Sequence, residues 1–106
     1  MTPAEILKVE QDIVATLKNI YDPEIPVNIY DLGLIYEIDY TPDGTAEIRM
    51  TLTAPNCPVA DMLLEDVNTQ VAKIPGVSKV NVTLVFDPPW GKEMMSEEAL
   101  LELGLL

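Results

Sequence analysis

The sequence contains no histidine, a single cysteine, and only 6 Lys+Arg against 18 Asp+Glu, for a net charge of −12. Without histidine the chain holds no Ser-His-Asp triad, no Cys-His dyad of its own and no imidazole metal site. A lone cysteine forms no internal disulfide, which fits a reducing, cytoplasmic setting. The scarcity of basic residues means that a phosphate backbone would be repelled, so no nucleic-acid partner is expected, and anionic membranes are disfavoured for the same reason. No run approaches 18 apolar residues without a charge, so no transmembrane helix is expected. The start, Met1-Thr2-Pro3-Ala4-Glu5, has neither a basic nor an apolar leader segment and is not read as a signal peptide. What is left for chemistry is carboxylates, hydroxyls, a few Lys and Arg, and one thiol.

What the chain does have is enough apolar material for a core. Its 106 residues are 48% hydrophobic, which suits one compact domain spanning 1–106 that folds without a disulfide or structural metal. Thr2-Pro3-Ala4-Glu5 reads as a capped helix start with the elements of a capping box. Ile6, Leu7, Val9, Ile13, Val14, Leu17 and Ile20 then recur at helical spacing, predicting a helix to about residue 19. Two prolines break the pattern between Asp22 and Gly33 and predict an irregular loop. Leu34, Tyr36, Ile38 and Tyr40 alternate with polar or outward positions, Thr41-Pro42-Asp43-Gly44 is a turn, and Ala46, Ile48, Met50 and Leu52 alternate again, so a hairpin with one apolar face is expected.

A second helix is predicted to start near Pro58 and stop at Pro75-Gly76, with Val59, Met62, Leu63, Val67, Val71 and Ile74 as its apolar stripe. Val77 to Phe86 reads as a third strand, and Ser96 as the N-cap of a short helix from Glu97 to about Leu103, with Met95 as its staple and Gly104 as its stop. The expected fold class is therefore α+β: a three-stranded mixed sheet, two main helices on one face and a short C-terminal helix.

Several residues stand out. Cys57 lies between a predicted strand end and a predicted helix start, where free N–H groups and the helix dipole favour a thiolate. Asp61 and the overall negative charge oppose that, and a free cysteine is just as readily a small buried hydrophobe. Asp22, Glu24 and Asp31 share one loop. They have the chemistry to bind a hard cation or orient a partner, but their spacing, with Asp22-Pro23 and Asp31-Leu32-Gly33, favours turn formation. Thr53 could hydrogen-bond the thiolate or simply end the strand. Trp90, after two prolines, fits a core plug or a partner anchor. Met94 and Met95 read as packing, and Glu97, Glu98 and Glu102 as solvated surface.

Taken together, three stretches resemble a known family. Asp22-Pro23-Glu24-Ile25-Pro26 through Ile29-Tyr30-Asp31-Leu32-Gly33-Leu34-Ile35 is similar to a signature of the metal–sulfur (iron–sulfur) cluster assembly factor family, whose members include SufT-like and PaaD-like proteins. Thr53-Ala54-Pro55-Asn56-Cys57-Pro58 fills that family's T-x-x-x-C-P motif. Phe86-Asp87-Pro88-Pro89-Trp90, with Met94-Met95-Ser96-Glu97-Glu98-Ala99, resembles the C-terminal segment of the SufT-like branch. PaaD-like members carry an extra cysteine-rich C-terminal segment that this sequence lacks, so the SufT-like branch is expected.

The resemblance implies an accessory, non-enzymatic role in iron–sulfur cluster assembly. Cys57 is then the functional thiolate and a transient ligand for iron or a cluster. Asp22, Glu24, Asp31 and Thr53 support it, and no cofactor is held permanently. Iron–sulfur apoproteins and SUF-type assembly proteins are the implied partners. Because a cluster usually takes four thiolates, a homodimer, a client, a scaffold or a small thiol would have to supply the rest. Two other classes fit the same residues: an adaptor that recruits clients through Trp90 and the acidic surface without touching metal, and a thiol enzyme relying on an intrinsically low cysteine pKa.

Overall fold

The computed structural model describes residues 2–22, 25–53 and 60–104. Helix α1 runs Pro3–Leu17 and opens with a complete capping box. Thr2 Oγ1 accepts the Glu5 N–H at 3.2 Å, and the Glu5 carboxylate accepts the Thr2 N–H at 3.3 Å. The hydroxyl of Thr2 also holds the Glu5 carboxylate, and these bonds lower the Glu5 pKa, with the hydroxyl as the largest cause. Val9, Ile13 and Leu17 are buried along one face, whereas Leu7, predicted to share it, is 55% exposed. The helix stops two residues short of the expected end. Two successive tight turns, Asn19 N–H to Thr16 O and Ile20 N–H to Leu17 O, redirect the chain so that Ile20 still reaches the core.

Strands β1 (Ile35–Tyr40) and β2 (Thr45–Met50) form an antiparallel hairpin. Its turn closes with the Gly44 N–H on the Thr41 carbonyl at 2.9 Å, and Gly44 takes φ +93°, a region open to glycine at no steric cost. The Thr41 hydroxyl and the Thr45 N–H both bond the Asp43 carboxylate and hold its pKa below the ordinary value, the hydroxyl being the larger cause. The predicted alternation of β1 is interrupted. The register shifts between Ile35, opposite Met50, and Glu37, opposite Arg49, leaving Tyr36 as the extra residue of a bulge.

Helix α2 (Ala60–Ala72) connects β2 to β3 (Lys79–Leu84), and β3 lies parallel to β2 in a sheet of order β1-β2-β3. A parallel pair needs such a crossover. Leu63, Val67, Val71 and Ile74 are buried as predicted, but Met62 is 71% exposed. The start of α2, with Val59 and the expected role of Pro58, lies outside the described residues. β3 is shorter than the sequence suggests, and Phe86 beyond it is 45% exposed. A short 3-10 turn, Lys92–Met94, precedes helix α3 (Glu97–Glu102), whose N-cap Ser96 accepts the Ala99 N–H at 3.2 Å. The core gathers α1, α2, the 27–34 loop and the inner face of the sheet around Ile13, Leu17, Ile29, Leu32, Ile48 and Val67. The fold class is α+β, as the sequence indicates.

Candidate functional site

The loop that follows α1 is built from turns anchored by apolar residues. Asp22, 7% exposed, accepts the Ile25 N–H at 3.0 Å, and its own N–H bonds the Val27 carbonyl. Tyr21 and Asn28 form an isolated antiparallel bridge, and the Ile29 N–H bonds the Ile20 carbonyl at 2.8 Å. Asp31 and Asn28 bond reciprocally: the Asp31 N–H donates to Asn28 Oδ1, and Asn28 Nδ2 donates to Asp31 Oδ2, each at 2.8 Å. Ile29, Leu32 and Leu34 are fully buried, so the loop is pinned from beneath. Above it, Lys18 Nζ lies 5.3 Å from the centre of the Tyr30 ring, a cation–π contact. Both described carboxylates of this loop thus perform the turn-forming task that their spacing favours. Asp31 also lines a small cleft with Tyr21, Asn28, Glu98 and Glu102.

The chain after β3 returns to this loop and locks onto it. The Trp90 indole N–H donates to the Leu32 carbonyl at 2.7 Å, the Tyr36 hydroxyl to the Pro88 carbonyl at 2.8 Å, and the Ser96 N–H to the Asp31 carbonyl at 2.8 Å. The Asp87–Pro88 peptide is cis. Gly33 has φ +83°, and a Cβ there would overlap the Met94 carbonyl. So two motifs more than fifty residues apart in the sequence become one surface. Trp90 is half-buried, its polar edge satisfied internally.

The end of β2 meets the same loop. The Thr51 N–H bonds the Leu34 carbonyl at 2.8 Å, joining the end of β2 to the loop, and the chain then passes through half-buried Thr53 toward Cys57. Cys57 and Glu24 lie outside the described residues. Among those described, Thr51 is the buried polar group that stands apart: 1% exposed, with a hydroxyl that completes no hydrogen bond. Its neighbour is the Tyr36 phenol, whose pKa is raised chiefly by burial; the Thr51 hydroxyl opposes that rise, and the Glu93 charge adds a smaller push upward. The phenol also approaches Met94 Sδ at 3.4 Å. Tyr36, Thr51 and Met94 do not stand out in the sequence. Each has an ordinary place in a strand or turn pattern, and only the long-range contacts bring them together.

This end of the molecule holds the C-terminal ends of two parallel strands, β2 and β3, the usual place for sites in such units. Among the described residues no three carboxylate or thiol groups converge to hold a metal ion. In the whole sequence the one thiol is Cys57.

Residues 10–84 match the family described as iron-sulfur cluster assembly protein. A Fe-S protein maturation auxiliary factor of Porphyromonas gingivalis is 58% identical, over 96% of this chain and 97% of that one. The Fe-S protein maturation auxiliary factor SufT of Staphylococcus aureus is 37% identical, over 81% of this chain and 98% of that one. A crystal structure of a domain of unknown function from Bacillus anthracis superposes with a TM-score of 0.89 at 34% identity, covering 99% of this chain and all of that one. The matched span runs from within α1 to the last residue of β3, and the relatives are covered along nearly their whole length: the chain belongs to the iron–sulfur cluster assembly protein family, on its SufT-like side.

Proposed function

We propose that this protein is an accessory factor in the maturation of iron–sulfur proteins, acting in the cytoplasm, with Cys57 as its working thiolate. The observation that carries the reading is 58% identity, over nearly the full length of both chains, to a factor named for Fe-S protein maturation. The chemistry of the chain is consistent with it. With no histidine and one cysteine, the single soft ligand available to iron is the Cys57 sulfur. One thiolate does not complete a cluster's ligand set, so Cys57 would act as one ligand during transfer, with the remainder supplied by the client apoprotein, a SUF-type scaffold or a small thiol. Iron and sulfide are cargo in this role. Asp22 and Asp31 would support this role by fixing the turns of the loop that carries the first family stretch.

The test is anaerobic cluster transfer to an apoprotein client, paired with pull-down from cells, for wild type and Cys57→Ser. The variant is expected to keep its partners and to lose at least about tenfold in transfer rate, the loss of one transition-state contact of about 1.4 kcal/mol. If Cys57→Ser keeps both partners and full client activity, the protein is an adaptor that recruits clients without binding metal.

A further inference from the structure

Two hydroxyls and a thioether meet where the 88–96 segment crosses the end of the hairpin, and their hydrogen bonding is incomplete. Tyr36 Oη has one proton and two acceptors near it, the Pro88 carbonyl at 2.8 Å and Met94 Sδ at 3.4 Å. A thioether is a weak acceptor, so the carbonyl holds the proton. The Thr51 hydroxyl beside the phenol is buried and completes no hydrogen bond among the described residues. The group thus has one donor too many for the acceptors that it contains. Met94 closes the 3-10 turn Lys92–Met94, whose other two residues are exposed, and is itself half-buried, so a small oxidant reaches its sulfur. Met50 is fully buried and Met95 nearly so. Met62 is 71% exposed, but no hydrogen bond reaches its sulfur among the described residues.

We propose that Met94 is a site of reversible oxidation by hydroperoxides, its sulfoxide oxygen held by the Tyr36 hydroxyl with Thr51 behind it. The sulfur lone pair attacks the outer oxygen of the peroxide, the O–O bond breaks and an S–O bond forms. The proton on the transferred oxygen passes to the departing one, which leaves as water or an alcohol. Sulfur loses two electrons and the peroxide gains them. The sulfoxide oxygen is a far better acceptor than the thioether, so it draws the Tyr36 proton off the Pro88 carbonyl. The phenol oxygen, turned toward Met94, is then free to accept the Thr51 proton, and the chain Thr51–Tyr36–sulfoxide completes the bonding that the reduced group lacks. The Pro88 bond is one of three that tie this segment down, with Trp90 to Leu32 and Ser96 to Asp31, so oxidation loosens its Pro88 end. Hydrogen peroxide is neutral and is not repelled by a net charge of −12. The proposal involves no role for Cys57 and stands whether or not that residue transfers iron.

Timed exposure of the folded protein to hydrogen peroxide, with peptide mass spectrometry following each methionine, tests this. In the wild type Met62 and Met94 convert while Met50 and Met95 lag, and methionine sulfoxide reductase with a dithiol returns Met94 to the thioether. Thr51→Val removes a hydroxyl that has no partner in the reduced protein, so the fold is retained, and circular dichroism confirms it. In that variant Met94 converts at least about threefold more slowly, the loss of one hydrogen bond to the forming sulfoxide, while the Met62 rate is unchanged. Thr51→Ser, which keeps the hydroxyl, restores the wild-type rate. Met94 that stays reduced in the wild type while Met62 converts fully overturns the proposal, and this readout needs no variant. Equal Met94 rates in the wild type and Thr51→Val also overturn it, because exposure alone would then govern the reaction.

Discussion

Tyr36 shows how a residue with an ordinary sequence position acquires an unusual environment. Its phenol donates to the Pro88 carbonyl and is partly desolvated, and its pKa rises above the ordinary 10.0, with burial as the main cause, the Thr51 hydroxyl opposing it and Glu93 adding a smaller rise. The neutral form is favoured in the folded protein. Its contribution to stability is fully present below about pH 10 and fades as pH climbs through the higher folded value. Tyr36→Phe is therefore expected to remove a component that titrates above pH 10.0 from the phenolate absorbance curve, and two titrations that superimpose after scaling would refute this. The carboxylates tell a more legible story. The spacing of Asp22 and Asp31 points to turns, and each accepts or exchanges the hydrogen bonds that turns require. Thr51 was not legible: an alternating pattern places it outward, and it is buried because the 29–34 loop folds over the end of β2.

At the scale of elements, the helices were the most readable parts. Thr2 and Ser96 cap as their positions predict, because a cap is satisfied by groups within a few residues. The exposed Leu7 and Met62 and the bulge at Tyr36 were missed for one reason: helical spacing and strand alternation define a face but not its width, nor where a neighbour stops covering it. The contact between the 29–34 loop and the 88–96 segment has no local signal, since its partners lie far apart in the chain. Gly33 is its hinge point. Gly33→Ala combines a left-handed φ for a residue with a Cβ and a clash with the Met94 backbone. The expected loss is about 2–4 kcal/mol in urea unfolding. A change under about 0.5 kcal/mol would show that the segment yields without loss.

For the whole molecule, charge is the controlling quantity. A net charge of −12 on a domain this size repels itself in the folded state more than in the expanded one. Screening is expected to raise the melting temperature by about 4–8 °C between about 0.02 M and 0.5 M NaCl, equivalent to about 1 kcal/mol. Differential scanning calorimetry across the salt series measures this. A flat or falling melting temperature would mean that local pairs such as Lys8–Asp12, at 2.7 Å, dominate over the net field.

The sequence by itself determined the element order, the caps, the apolar faces, the acidic surface and the restriction of soft-ligand chemistry to one thiol. These follow from local backbone preference, periodicity and composition, which act within a few residues or across the chain as a sum. Only the tertiary structure decided that the Asp22–Gly33 loop, the end of β2 and the Pro88–Ser96 segment form one surface, that Thr51 is buried beside Tyr36, and that β1 carries a bulge at Tyr36. Those outcomes depend on which distant backbone groups find each other once the core closes, and no local pattern carries that information.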